Sequence, residues 1–309
     1  MTPFTGEIFA LTTVLCWTMG SQFFEAAGKR AGSPAVNLVR LVLAALFFGL
    51  TLVISKGRWI PVDFPLVNWG WLGLSGVIGF AFGDMCLFRA FVEIGPRLSM
   101  LIMSLTAPVT ALIGWTFLGE AYRPLQWLGI LITLTGVAVV ILEQDGAGPT
   151  RIATPNNRSV KKITPIGVLM AVLGMIGQAV GYVFSKVGML SDGTMLDPIS
   201  ATYIRVIGGT AGVIVVFTLL GWWPKVKPFR RDVKALAHTT AGAFFGPFLG
   251  VAMSLAALHH TSTGVASTIM ALTPITLIPF AVFLHNEHVS LRALTGTLVA
   301  FGGVVLLIF

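Results

Sequence analysis

The chain has 309 residues, of which 55% are hydrophobic and only 10% are charged, and its mean hydropathy is +0.88. Soluble domains carry about 25% charged residues, so this composition excludes a soluble globular protein. The formal net charge of +8 does not indicate a nucleic-acid partner, because the Lys and Arg residues lie mostly in short connections beside apolar segments, as membrane topology requires.

A helix needs about 20 apolar residues to cross a bilayer, and the chain contains ten such segments. We predict an all-α membrane protein with ten transmembrane helices, at residues 7–27, 36–54, 68–91, 98–117, 125–142, 165–187, 199–221, 236–257, 264–284 and 291–309. No secretory leader is visible at the start, so the first segment is kept as a span. The stretch 143–164 is rich in Gly, Pro and charge. It is predicted to be a linker between a first half, 1–142, and a second half, 165–309.

The two halves repeat the same landmarks. Shifting the sequence by 167 positions places Glu120 on Glu287. The same shift, without a gap, aligns Ile102 with Ile269, Met103 with Met270, Leu105 with Leu272, Thr106 with Thr273, Gly129 with Gly296 and Gly136 with Gly303. Five spans are an odd number, so the second half enters the membrane from the opposite side. The sequence therefore predicts two inverted-topology five-helix repeats, an architecture typical of secondary transporters with a midplane substrate site.

Each half joins a Pro-bearing span, a Glu at its end and a Gly-rich span. These are LTAPVTALIGWTFLGE with GILITLTG, and IMALTPITLIPFAVFLHNE with GTLVAFGG. In each half an Arg, Arg40 or Arg205, also enters the second span after a Pro, Pro34 or Pro198. Over almost the whole chain this pattern resembles the EamA domain of the drug/metabolite transporter superfamily.

The resemblance implies a bundle of ten helices with a central cavity lined by the first, third and fourth spans of each half. It also implies transport, often export, of amino acids or other small metabolites. We therefore expect a multi-pass protein of a bacterial or archaeal plasma membrane.

Asp84 is the acid that we single out as a functional candidate. It lies 15 residues beyond Trp69, about 22 Å along a helix, and a carboxylate at that depth in a membrane is costly. We expect either a carboxylate that binds a substrate amine or a coupling proton, or an ion pair with Arg40 or Arg89 that ties helices together. At the shift of 167 its counterpart is Val251, so the acid does not belong to the duplicated pattern. That asymmetry favours a task peculiar to this chain.

The other cavity candidates are polar, aromatic and Met residues of the central spans, together with prolines that interrupt helices. Interrupted helices at related places indicate a binding site. We predict that the substrate cavity is lined by Trp17, Gln22, Asp84, Phe88, Met103, Pro108, Gln178, Tyr182, Met253, Met270 and Pro274. Bonding between helices and simple packing are the alternatives for these polar and Met side chains. Because Pro108 and Pro274 are 166 positions apart, the two breaks are expected to be close but not equivalent.

Four charged residues at matched places are predicted to be mainly structural. Arg40 and Arg205 enter their spans near an interface, with contact to an anion as the alternative. Glu120 and Glu287 each close a span before the next helix, where a carboxylate can accept from free backbone N–H groups and interact with the helix dipole.

No cofactor, metal or catalytic arrangement is predicted. The residues His259, His260, His285 and His288 lack the i, i+4 spacing of a helical metal site, and no phosphate loop or nucleophile is visible. The predicted function is a secondary transporter, or permease, that works by alternating access. The alternatives are a membrane-embedded enzyme that acts on a lipidic substrate and a sensor or scaffold without transport. The aromatic and Met content of the predicted cavity suggests a hydrophobic or aromatic amino acid as the substrate.

The sequence indicates two opposite orientations. Connections after odd-numbered spans carry 13 Lys and Arg residues, and the other side carries four. Positive charge should be cytoplasmic, which places both termini outside, whereas the resemblance implies cytoplasmic termini. Both orientations stay open.

Overall fold

A computed structural model of the protein describes residues 4–94, 96–143, 164–191, 194–276 and 291–308. These residues are almost entirely helical. The helices are α1 (Thr5–Ala31), α2 (Ser33–Lys56), α3 (Leu66–Gly76), α4 (Asp84–Glu93), α5 (Pro96–Ser104), α6 (Thr106–Phe117), α7 (Pro124–Glu143), α8 (Pro165–Met189), α9 (Pro198–Leu219), α10 (Val233–Ala243), α11 (Val251–His260), α12 (Thr263–Met270) and α13 (Leu291–Ile308). Two residues on either side of positions 192–193 form a short antiparallel pair, β1 (Leu190–Ser191) and β2 (Thr194–Met195).

Three further segments are helical but not α-helical. The π-helical segments Val77–Gly83 and Phe244–Gly250 join α3 to α4 and α10 to α11 without interruption, and Trp223–Arg230 forms a 3₁₀ helix before α10. The predicted linker 143–164 lies outside the described residues except at its two ends.

Among the described residues, five continuous helices are long and apolar enough to cross a membrane: Ser33–Lys56, Leu66–Ala90, Pro165–Met189, Pro198–Leu219 and Val233–His260. Shorter apolar helices cover Ile102–Phe117, Pro124–Val139, Thr263–Thr276 and Leu294–Leu307. The chain is thus a multi-pass membrane protein. The helix α1 has 27 residues, which is sufficient length, but its Thr, Ser and Gln side chains make it less apolar than those five.

Helix starts follow local capping chemistry. Asp197 accepts hydrogen bonds from the backbone N–H groups of Ile199 and Ser200 at 3.3 and 3.1 Å, and Pro198 follows it at the first position of α9. Thr164 accepts from Gly167 N at 3.2 Å in front of α8. Side-chain oxygens at these positions satisfy N–H groups that have no partner within the helix.

The predicted fourth span is two helices, α5 and α6, that meet at Leu105. There the Leu105 N–H bonds to the carbonyl of Ile102 at 3.1 Å, and in the second half the Leu272 N–H bonds to the carbonyl of Ile269 at 3.0 Å. The turn bond thus recurs at the shift of 167, whereas the helices before the two turns end 166 positions apart, at Ser104 and Met270, like the two prolines. The turn precedes the proline, since Pro108 lies in the first turn of α6, where a missing N–H is tolerated.

The two π-helical segments are also equivalent, because positions 77–83 and 244–250 differ by 167. The first packs on α8, where a Cβ atom added at Gly177 would lie 3.0 Å from Gly83 Cα. The second packs on α1, where a Cβ atom added at Gly20 would lie 3.2 Å from Gly246 N. Each half therefore places its first helix against the π-helical segment of the other half. Such approaches require glycine, and π-helical turns often occur at functional sites.

Candidate functional site

A cavity of about 280 Å³ lies where the two halves meet. Helices from both halves and the two π-helical segments form its wall. It is lined by Trp17, Gly20, Ser21, Phe24, Arg40, Phe80, Asp84, Leu87, Met100, Met103, Ser104, Thr106, Gln178, Tyr182, Gly246, Pro247, Val251, Ser267, Met270, Ala271, Thr273 and Pro274. The wall is mostly apolar, and Arg40 and Asp84 are the charged residues among these.

The structure brings seven of the eleven predicted residues to this cavity. They are Trp17, Asp84, Met103, Gln178, Tyr182, Met270 and Pro274. The other four lie outside its wall. Gln22 is half-buried on α1, Phe88 lies beside Arg40, Pro108 is in the first turn of α6, and Met253 packs against the apolar core.

Asp84 begins α4 directly after the first π-helical segment, and two side chains hold its carboxylate. Arg40 Nη2 donates to Oδ2 in an ion pair whose side chains are both 12% exposed. Gln178 Nε2 donates to Oδ1 at 2.9 Å. Arg89, the other predicted partner, instead pairs with Glu93 at 2.6 Å. The carboxylate is therefore buried, paired and open to the cavity on one side.

Arg40 is held from several sides. Its Nε donates to Asn37 Oδ1 at 2.9 Å, and its Cζ lies 5.1 Å from the ring centre of Phe24 and 5.6 Å from that of Phe88. Aromatic faces at this distance attract a guanidinium group. Arg40 both lines the cavity and pairs with Asp84, so its mainly structural role stays a prediction.

Arg205 is buried within the bundle and is only 1% exposed. Its Cζ lies 4.8 Å from the ring centre of Phe80 and 5.5 Å from that of Tyr182, and both rings line the cavity. Among the described residues no acceptor meets its Nε and Nη1 atoms. The side chain therefore carries its charge without full hydrogen bonding.

A second polar cluster surrounds Glu120, in the connection between α6 and α7. Both carboxylate oxygens accept from Thr263 N at 3.0 Å, and Thr263 Oγ1 donates at 2.7 Å. Lys186 Nζ donates at 2.7 Å, and Tyr122 OH also donates to the carboxylate. Tyr122 OH in turn accepts from Gly264 N at 3.0 Å. We call Glu120, Tyr122, Lys186, Thr263 and Gly264 the Glu120 cluster.

The Glu120 cluster differs from the prediction in the helix that it caps. The carboxylate binds the N-terminus of α12, in the second half, instead of that of α7. The reason is local, since α7 begins with Pro124, which has no N–H, and Gln126 Oε1 accepts from Arg123 N at 3.0 Å. Its matched residue, Glu287, lies outside the described residues.

The pKa values in the Glu120 cluster favour one charge state. Burial raises the pKa of Glu120, but the charge of Lys186 and hydrogen bonds from Lys186, Tyr122 and Thr263 outweigh it, so this pKa lies below its ordinary value. Burial and the hydrogen bond to Glu120 raise the pKa of Tyr122 to about 12. At neutral pH the cluster therefore holds Glu120 as a carboxylate and Tyr122 as a neutral phenol.

Sequence reasoning singled out Glu120 but missed its partners. Two signals were available: Lys186 is the basic residue near the end of α8, and Tyr122 follows Glu120 by two positions. The spacing does not identify Lys186 or Thr263 as partners, because α8 and α12 belong to the second half.

The histidines form no metal site in the part of the chain that the structure describes. The rings of His259 and His260 lie 4.6 Å apart, and no three His, Cys, Asp or Glu residues come together there. His285 and His288 lie outside the described residues.

Comparison with known proteins gives one family match and several relatives. A model described as "EamA-like transporter family" matches residues 4–142 and again residues 165–309. From Escherichia coli K12, the "Uncharacterized inner membrane transporter YedA" is 22% identical over 289 residues, which are 93% of this chain and 85% of that protein.

Two relatives come from Saccharomyces cerevisiae. The "Uncharacterized membrane protein YMR253C" is 25% identical over 60% of this chain. The "Probable transport protein YPL264C" is 28% identical over 34%. The matches span only 45% and 31% of the yeast proteins' own lengths.

A solved structure titled "Crystal structure of protein" superposes with a TM-score of 0.73 and 14% identity, over 99% of this chain and 98% of that one. At that identity the likeness shows the fold alone.

Proposed function

The chain belongs to the EamA-like transporter family, as its two matched segments show, and from this premise we propose a secondary transporter of small organic metabolites such as amino acids. The observation that carries the proposal is the cavity between the halves, in which Arg40 and Asp84 are set into a mostly apolar wall. Pockets of this composition suit small solutes with an apolar body and a few polar groups.

We also propose that ten helices cross the membrane as two inverted repeats of five. The support is the set of equivalent features at the shift of 167: the turns at Leu105 and Leu272, and the two π-helical segments. Repeats of this kind allow two pseudo-symmetric states that expose one site to opposite sides. The proposed location is the plasma membrane of a bacterium or archaeon.

The proposed mechanism is alternating access. The Glu120 cluster joins the first half to α8 and α12 of the second half, so its hydrogen bonds have to open before the halves can separate at that end. No member of the Glu120 cluster lines the cavity, whose wall instead includes Phe24 of α1 and Leu87 of α4. We therefore assign to this structure a state in which the Glu120 cluster closes one side.

The proposal includes coupling of transport to a proton, and Asp84 is the group that we assign to bind this proton. A proton would compete with Arg40 for Asp84 Oδ2, so coupling requires the ion pair to open during the cycle. Asp84→Asn should then remove the dependence of transport on a pH gradient, whereas a purely structural Asp84 would leave the pH profile unchanged.

Reconstitution tests the proposed function. Purified protein in liposomes, loaded with one labelled amino acid or metabolite at a time, should exchange at least one of a panel. Empty liposomes are the control. Absence of exchange for every solute, together with turnover of an added lipid, would establish the enzyme alternative instead.

A further inference from the structure

The charges at the cavity do not balance. Arg40 and Arg205 hold matched places in the two halves, but the counterpart of Asp84 at the shift of 167 is Val251. Of the described residues that line the cavity, Asp84 is the sole acid and Arg40 the sole base. Arg205 adds a second positive charge directly against two lining rings. The cluster of Arg40, Arg205 and Asp84 thus contains two basic side chains and one acidic side chain, a formal excess of one positive charge.

Gln178 contacts the acid of this cluster and lies beside the same glycine as Arg205. Its Nε2 donates to Asp84 Oδ1 at 2.9 Å. A Cβ atom added at Gly79 would lie 2.8 Å from Arg205 Nη2 and 3.8 Å from Gln178 Oε1, so the guanidinium and the amide both lie beside Gly79 of the first π-helical segment. The Nε and Nη1 atoms of Arg205 also have no acceptor among the described residues. A buried cation with unmet hydrogen bonds is unfavourable, and it attracts an anion.

We propose that the substrate is a small organic anion that brings one net negative charge to this cavity. This inference rests on the proposed transport function and specifies its substrate class. The substrate carboxylate binds Arg40, whose planar guanidinium is suited to bidentate contact with a carboxylate. Asp84 retains the hydrogen bond from Gln178 and the nearby positive charge of Arg205. The apolar body of the substrate contacts Trp17.

The possible substrates differ in the net charge that the cluster has when each of them is bound. A monoanion brings the cluster to neutrality, a zwitterion leaves it at +1, and a cation raises it further. Within the metabolites of the proposed function, this selects carboxylates without a free ammonium group, such as 2-oxo acids or N-acylated amino acids, over ordinary zwitterionic amino acids.

Three compounds that share a phenyl ring and a short chain test the inference at pH 7: 3-phenylpropanoate, phenylalanine and phenethylamine. Their affinities for the purified full chain are read from thermal shifts as a function of concentration. We expect 3-phenylpropanoate to bind at least about tenfold more tightly than phenylalanine, the effect of one charge-assisted hydrogen bond. Equal or tighter binding of phenylalanine or phenethylamine would overturn the inference.

Two variants should shift this preference in opposite directions. Arg205→Met removes the excess charge, and we expect the ratio of anion to zwitterion affinity to fall about tenfold. Asp84→Asn increases the excess of positive charge, so the ratio of anion to zwitterion affinity should rise. The control is Arg58→Met, an exposed arginine paired with Asp63, which should leave the ratio unchanged. A merely structural Arg205 would lower stability without moving the ratio.

If Arg205→Met does not fold, Asp84→Asn decides alone, and an unchanged ratio contradicts the inference. The same three compounds are then tested as competitors of exchange in liposomes. Anion-selective binding without any exchange would refute transport and leave the charge inference standing. Exchange without a preference for the anion would support transport and refute the charge inference.

Discussion

Arg40 and Asp84 lie 44 positions apart on different helices, and their ion pair is buried with both side chains 12% exposed. The two partners are not equivalent, because Asp84 also accepts from Gln178 and has Arg205 nearby, whereas Arg40 has no second acid among the residues that line the cavity. Removing the acid therefore leaves more uncompensated charge than removing the base.

We expect Asp84→Asn to lower the free energy of unfolding by about 3 kcal/mol, the typical cost of leaving a buried charge unpaired. Arg40→Met should lower the free energy of unfolding clearly less, because Asp84 still accepts the hydrogen bond from Gln178. Denaturation of the purified variants in detergent measures both. The reverse order would show that Arg205 does not compensate Asp84.

The Glu120 cluster should behave as a coupled unit. We expect Glu120→Gln and Lys186→Met each to lower the free energy of unfolding by about 3 kcal/mol, because each leaves the opposite charge unpaired and mostly buried. The double variant should cost less than the sum, which a double-mutant cycle measures.

The matched control for that cycle is the exposed pair of Arg58 and Asp63. Its coupling energy should stay within about 1 kcal/mol, as for surface ion pairs in general. Equal coupling in the two cycles would contradict the assignment of the Glu120 cluster as a buried junction between the halves.

The lowered pKa of Glu120 predicts a loss of stability in acid. A carboxyl group whose folded pKa is lowered stabilises the fold fully above its unfolded pKa, about 4.3, and loses that contribution as pH falls through the folded value. The melting temperature of the wild type should therefore fall more steeply below about pH 4.3 than that of Glu120→Gln. Parallel curves for the two proteins would refute a lowered pKa.

Gly177 tests the contact between α8 and the first π-helical segment. An added Cβ atom would lie 3.0 Å from Gly83 Cα, which is backbone and cannot move aside. We expect Gly177→Ala to lower the free energy of unfolding by about 2 kcal/mol, because the added methyl group overpacks the contact. The control is Gly70→Ala on exposed helix surface, where no atom lies within 4 Å and alanine should be neutral or slightly stabilising. Similar costs for both would refute the close contact.

Several properties could be predicted from the sequence because they depend on composition and on spacing along the chain. Low charge and long apolar segments predict membrane helices, since the bilayer sets their length. The shift of 167 predicts equivalent structure in the two halves, and the turns at Leu105 and Leu272 follow it more closely than the prolines do. Helix caps such as Asp197 are similarly local.

The tertiary structure alone decided which partners the charged residues take. Sequence spacing left Asp84 with Arg40 or Arg89, and it assigned Glu120 to the following helix. The structure pairs Asp84 with Arg40 and places Glu120 on Thr263, 143 positions away. Ion pairs and helix caps of this kind act over a few ångströms, and the distances between helices depend on how Gly-rich surfaces pack, which no spacing along one chain contains.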